Sequence, residues 1–127
     1  MDIFKRIENL LDGEMLYKNP NLTLKALAAK LGTSSVNISQ AIRSNSRQKN
    51  FHKYVNHFRL MYFMRLLQNN DNHIYTLHTL AQMAGFNSKT TFNKYCVEAT
   101  GLSPALVRME VSRGKSPEEL IPATAVA

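Results

Sequence analysis

Apolar residues recur along this chain at intervals of three and four, the period of helices, and strand-type alternation is weak throughout. Ile3, Phe4, Ile7, Leu10 and Leu11 make a stripe for a first helix expected to run to about Tyr17. Asn19-Pro20-Asn21 stops it, because the residue before a proline is pushed out of helical geometry. Thr23 can cap a second helix whose Leu24, Leu27, Ala28 and Leu31 face inward. Gly32-Thr33-Ser34 reads as a turn, followed by a third helix from about Ser35 to Ser44 with Ile38, Ala41 and Ile42 inward. A long helix is expected from about Asn50 to Gln68, with Phe51, Tyr54, Val55, Phe58, Tyr62, Leu66 and Leu67 along one side.

After the polar loop Asn69-Asn70-Asp71-Asn72, Thr76 opens another short pair of helices. Leu77, Leu80, Ala81 and Ala84 form its first apolar face, Gly85 its turn, and about Ser88 to Ala99 its second helix, closed by Thr100-Gly101. Ser103-Pro104 begins a last helix, proline being well tolerated at the first helical position. The chain therefore divides into 1–48, a first subdomain; 49–70, a linker helix; 71–112, a second subdomain; and 113–127, expected as a flexible tail with one helical turn near Pro117 to Leu120.

One phrase occurs twice. Leu27-Ala28 followed by Leu31-Gly32 returns as Leu80-Ala81 followed by Ala84-Gly85, the alanines lying 53 residues apart. Alanine lets two helices approach and glycine allows the backbone of a tight turn, so each copy reads as a helix-turn-helix. From Gly32 to the next core residue, Ile38, is six positions, and from Gly85 to Phe92 is seven. The second turn thus carries one extra residue, and Phe86 is expected to plug the gap between the subdomains. The fold class is all-α: two helix-turn-helix subdomains joined by a long linker helix, about seven helices in all.

Composition narrows the partner. Sixteen Lys and Arg against nine Asp and Glu leave +7 in 127 residues, which favours a polyanion. The 44% of hydrophobic residues suffices for a core. A single cysteine, Cys96, excludes an internal disulfide framework and suits a reducing, cytoplasmic setting. No apolar run approaches a membrane span, and the first residues lack the order of a signal peptide. His52/His57 and His73/His78 are each five apart, which does not put both rings on one helix face, so no metal site and no cofactor are expected. Cys96 has no base among its neighbours Tyr95, Val97 and Glu98 and sits on an expected core face, so no catalytic residue is assigned.

In a helix-turn-helix the second helix enters the major groove of double-stranded DNA and offers its polar side to base edges. That side carries Ser35, Asn37, Ser39, Gln40 and Arg43 in the first unit, and Ser88, Lys89, Thr90, Asn93 and Lys94 in the second. Amides can pair with adenine, Arg and Lys with guanine, and hydroxyls with base or phosphate. Neither set contains an acid. Thr33 and Ser34 at the first turn, Ser88 at the second, and Arg47, Lys49 and Lys53 beyond the third helix are candidate phosphate contacts. A linker helix of 19 residues spans about 28 Å, close to the ~34 Å between consecutive major grooves on one side of B-DNA.

These residues resemble the DNA-binding domain of the AraC/XylS family of bacterial transcription regulators over about residues 5 to 110. The resemblance rests on Leu22-Thr23-Leu24-x-x-Leu27-Ala28, on Asn50-Phe51 with Tyr54-Val55-Asn56 and Arg59, and above all on the second half. There Leu80-Ala81-x-x-Ala84-Gly85-Phe86-x-Ser88-x-x-x-Phe92-Asn93-Lys94, then Thr100-Gly101-x-Ser103-Pro104 and Arg108, is close to the family signature. The resemblance implies seven helices, binding of promoter DNA, and contact with RNA polymerase. By position it puts base reading on Val36, Ser39 and Gln40, and on Lys89, Thr90, Asn93 and Lys94; Val36 can meet only a thymine methyl or a sugar edge. Cys96 and Val97 stand where the family usually has an aromatic residue and a lysine, and Val107 replaces an aromatic.

The family usually joins this domain to a sensor or dimerisation domain, so the chain reads as the output domain of a larger regulator, with a stand-alone activator as the alternative. The phrasing Tyr17-x-x-Pro20-x-Leu22-Thr23 and Lys49-Asn50-Phe51 resembles the output end of large bacterial membrane sensors of this family. A third reading, a basic module that docks on proteins or a membrane surface, would use the apolar side of the long helix. No membrane contact by this segment is expected, because both subdomains need that side.

Overall fold

A computed structural model describes residues 2–121, and among these there are helices and no strands. The α-helices are α1 (Ile3–Glu8), α2 (Leu24–Leu31), α3 (Ser35–Asn45), α4 (Phe51–Gln68), α5 (Leu77–Met83), α6 (Lys89–Thr100), α7 (Pro104–Ser112) and α8 (Pro117–Leu120). Side-chain caps set most of the starts. The hydroxyls of Thr23, Ser34, Thr76, Ser88 and Ser103, and the amide oxygen of Asn50, each accept a backbone N–H of the first turn they precede. Each such bond satisfies one of the orphan donors of a helix start and is worth ~1 kcal/mol.

The first element departs from the expected single helix to Tyr17. It widens into a π-helical turn at Asn9–Gly13 and then breaks at Met15, whose φ of +55° is left-handed, before a 3-10 turn over Leu16–Lys18. The break swings Tyr17 into the core, where its ring stacks on Phe58 at 5.8 Å. Helical spacing alone could not reveal this, because the packing that favours the bend comes from 41 residues further along the sequence.

Among the described residues two clusters of buried side chains make up the core. One gathers Ile7, Leu11, Tyr17, Leu27, Ile38 and Ile42 against Phe51, Tyr54 and Val55 of α4. The other gathers Leu80, Phe86, Phe92, Tyr95, Cys96 and Val107 against Leu60, Phe63 and Met64 of the same helix. At ~100° per residue, Phe51 and Leu60 point to opposite sides of α4. The expected single apolar stripe is therefore two, half a turn apart, and Leu66 and Leu67 pack with the second cluster rather than beside Phe51. Tyr62 touches both clusters.

The helical turn expected near Pro117 to Leu120 is present as α8, and in place of a free tail it packs on the core. Ser116 and Glu119 form a reciprocal capping box, α8 follows, and Leu120 and Ile121 are buried in the second cluster. Proline at the first helical position and apolar residues at its far end suffice to dock this turn against α4. Residues 122–127 of the expected tail lie outside the described residues.

Candidate nucleic-acid interface

The two repeated phrases fold into the same local device. The repeated alanines accept equivalent hydrogen bonds five residues on, Thr33 N–H to the Ala28 carbonyl and Phe86 N–H to the Ala81 carbonyl, both at 3.0 Å. Gly32 at φ +65° and Gly85 at φ +111° supply the backbone that lets each helix end this way. One residue separates Gly32 from the cap Ser34, and two, Phe86 and Asn87, separate Gly85 from the cap Ser88. Phe86 does not fill the space between the units as expected. It packs into the second cluster beside Phe92, ring centres 5.2 Å apart, and the residue at the junction is Gly85.

On α3, Val36, Asn37, Gln40 and Arg43 are exposed and Ser35 and Ser39 half-buried. Val36 is 62% exposed, a degree of apolar exposure that packing does not explain. The Asn37 amide donates to the Thr33 hydroxyl at 3.0 Å, and Ser34 accepts the Asn37 N–H at 3.1 Å, so Thr33, Ser34 and Asn37 form one bonded corner at the helix start. The N-terminal end of α3 thus presents oriented N–H groups and a positive dipole end, suited to an anion. Arg47 and Lys49, in the connection to α4, are exposed.

On α6, Lys89, Thr90, Asn93 and Lys94 are all exposed, and Ser88 caps the helix by accepting the Thr91 N–H at 3.2 Å. The opposite face is buried through Phe92, Tyr95, Cys96 and Ala99. The Cys96 thiol is fully buried and pushed up to about 11 by burial, which keeps it protonated and unreactive at neutral pH. Burial likewise raises the Tyr95 phenol, whose hydroxyl has no hydrogen-bond partner among the described residues.

Lys53 stands apart from the other candidates. Its ammonium is ion-paired with Glu98, an acid on α6 outside the polar set Ser88, Lys89, Thr90, Asn93 and Lys94. Lys53, Lys94, Thr91 and Glu98 line one notch between α4 and α6, so a negative group stands among its cations. Arg59 is the other residue whose role spacing did not show. Half-buried midway along α4, it donates to the backbone carbonyls of Tyr17 and Asn19, at 2.6 and 2.9 Å, and to Asn56 Oδ1 at 3.3 Å. Burial lowers its guanidinium to about 10, still charged at neutral pH. Arg59 is among the residues that carry the family resemblance, but nothing in the sequence names the carbonyls it binds.

Among the described residues no helix is long and apolar enough to cross a membrane, and no three His, Cys, Asp or Glu side chains gather as a metal site.

The architecture has known counterparts. A protein of unknown function from Listeria innocua superposes with a TM-score of 0.73 at 18% identity, over 87% of this chain and 98% of that one. The C-terminal domain of AraT, a response regulator from Geobacillus stearothermophilus, superposes with a TM-score of 0.72 at 21% identity, over 96% of this chain and 93% of that one. A search of curated protein sequences finds no match. A family model described as a helix-turn-helix domain matches residues 27–110, from the first repeated phrase to α7. That family consists of DNA-binding regulatory domains, not of enzymes. By its duplicated turns, its shared central helix and this match, the chain belongs to the AraC-type helix-turn-helix domain family.

Proposed function

We propose that this domain reads double-stranded promoter DNA sequence-specifically through α3 and α6 in two successive major grooves, as the cytoplasmic output domain of a larger bacterial regulator. The observation that carries the reading is the pairing of two exposed polar faces, Val36, Asn37, Gln40 and Arg43 on α3 and Lys89, Thr90, Asn93 and Lys94 on α6, on units that share one helix. The 18 residues of α4 span about 27 Å, which suits units set one helical turn of DNA apart. Base readout falls to Gln40 and Asn93 for adenine, to Arg43, Lys89 and Lys94 for guanine, to Val36 for a thymine methyl, and to the hydroxyls of Ser35, Ser39 and Thr90 for either base. Thr33, Ser34, Ser88, Arg47 and Lys49 hold phosphates. RNA polymerase and an upstream sensor domain are the protein partners this reading implies.

Docking on proteins or membranes through α4 finds no support, since both apolar sides of that helix are covered by its own chain. The deciding experiment is selection of bound sequences from a random duplex pool, then titration at two salt concentrations. Two short motifs about one helical turn apart, bound by monomer with a steep salt slope, support the proposal. A single motif would reduce the second unit to a backbone grip. No enrichment and no salt dependence would overturn it.

A further inference from the structure

The two units meet along a seam centred on residues 17–20. From the shared helix, the Arg59 guanidinium forks onto the carbonyls of Tyr17 and Asn19. Lys18 donates to the Tyr62 hydroxyl at 3.1 Å and lies 4.5 Å from the centre of that ring. From the second unit, Gly85 presses against the same stretch so closely that a Cβ there would stand 2.3 Å from the Tyr17 oxygen and 2.9 Å from both Lys18 Cα and Arg59 Nε. Beside it Asn87 donates to the Pro20 carbonyl at 3.3 Å. Among the described residues Arg59 has no ion pair. It is directed instead at the backbone oxygens of Tyr17 and Asn19, at the end of the 3-10 turn.

We propose that Arg59 is a positioning residue for DNA specificity: by clamping residues 17–20 between α4 and the turn of the second unit, it fixes the spacing of half-sites the domain accepts. The inference rests on the bipartite reading above. One base pair inserted between half-sites moves the far one by ~3.4 Å and turns it by ~35°. Two modules held rigidly gain from their linkage only at the matching geometry, whereas a loosened pair keeps a smaller gain over a range of geometries. Lysine cannot reproduce the fork, because an ammonium lacks the planar paired donors of a guanidinium.

The test uses the full chain and the selected bipartite site with zero, one or two base pairs inserted, beside a single half-site. The native protein should lose about tenfold or more in affinity at the first insertion. Arg59→Met should bind the uninserted site more weakly, lose under about threefold on insertion, and bind the half-site as the native protein does. Arg59→Lys should fall between, and Asn87→Ala, which removes one exposed bond of the seam, should move the same way by less. Spin labels at Lys30→Cys and Gln82→Cys, one on each unit, need no DNA. A narrow distance distribution in the native background should broaden in Arg59→Met.

If a folded Arg59→Met keeps both the narrow distribution and the full insertion penalty, the proposal fails. If Arg59→Met does not fold, Arg59→Lys and Asn87→Ala decide by the same two readouts. If the native protein selects no bipartite site, the reading above falls, and the distance distributions alone decide whether Arg59 holds the units together.

Discussion

Lys53 in the first turn of α4 is ion-paired with Glu98 on α6, 45 residues further along the chain. The pair is partly exposed, so its own contribution to stability is small. Under the proposed DNA-binding reading its effect is larger: Glu98 would hold a cation away from phosphate, and it adds a negative charge to the notch that Lys94 also lines. Glu98→Gln should therefore strengthen binding to DNA of any sequence and steepen the dependence of log affinity on log salt by about one. Titrations from 50 to 300 mM salt would test this, and an unchanged slope would place the notch away from the phosphates.

Gln40 is exposed on α3 and offers an amide able to pair with adenine in two bonds. Gln40→Ala should cost about 1–3 kcal/mol on the selected site and relax preference at one base pair. Equal loss on all sequences would make Gln40 a backbone contact.

Gly85 and Gly101 both have positive φ, +111° and +76°, but differ in surroundings. A Cβ at Gly101 meets nothing within 4 Å, whereas at Gly85 it meets the Tyr17 carbonyl. Gly101→Ala should cost about 1 kcal/mol, the price of a left-handed alanine. Gly85→Ala should cost about 3 kcal/mol or more, strain and collision together. Urea unfolding of the two variants decides, and equal losses would refute the close approach.

Burial raises the Cys96 thiol from 9.0 to about 11, the hydrogen bond with Thr100 pulling weakly the other way. Below pH 9 the thiol is protonated whether the chain is folded or not, so it adds no pH dependence. Between pH 9 and about 11 the unfolded thiol ionises while the folded one keeps its proton, and stability is lost as pH rises, on the order of 2 kcal/mol in all. The buried phenols of Tyr54 and Tyr95 shift the same way and are common to native protein and Cys96→Ala. The difference between the two urea midpoints, followed from pH 8 to 11, isolates the thiol. Parallel curves would count against its burial.

Leu120 closes the second cluster from beyond the family-matched region. Leu120→Ala should lower stability by about 2 kcal/mol. A melting temperature equal to the native value would mean that α8 is not docked in solution.

What the sequence disclosed was local chemistry. A hydroxyl or amide before an apolar turn marks a helix start, so Thr23, Ser34, Asn50, Thr76, Ser88 and Ser103 locate theirs within a residue. The exposure of the two polar faces on α3 and α6 follows from the same periodicity. What stayed hidden depends on partners remote in sequence: the bend at Met15 that seats Tyr17, the fork of Arg59 onto carbonyls 40 and 42 residues back, and the pairing of Lys53. Phe86 shows the same limit. The extra residue in the second turn could be counted, but whether phenylalanine or glycine stood at the junction depended on which side of the turn faces residues 17–20.

The opposed faces of α4 have a consequence for how the molecule comes apart. Cutting the chain at Asn69–Asn72 would leave the first fragment with Leu60, Phe63 and Met64 bare in water and the second without the wall on which Leu80 and Phe92 close. Neither unit should therefore fold fully on its own. Heat or denaturant should thus melt the two in one cooperative transition, and weakness introduced in one core should surface as lost occupancy at the DNA site of the other.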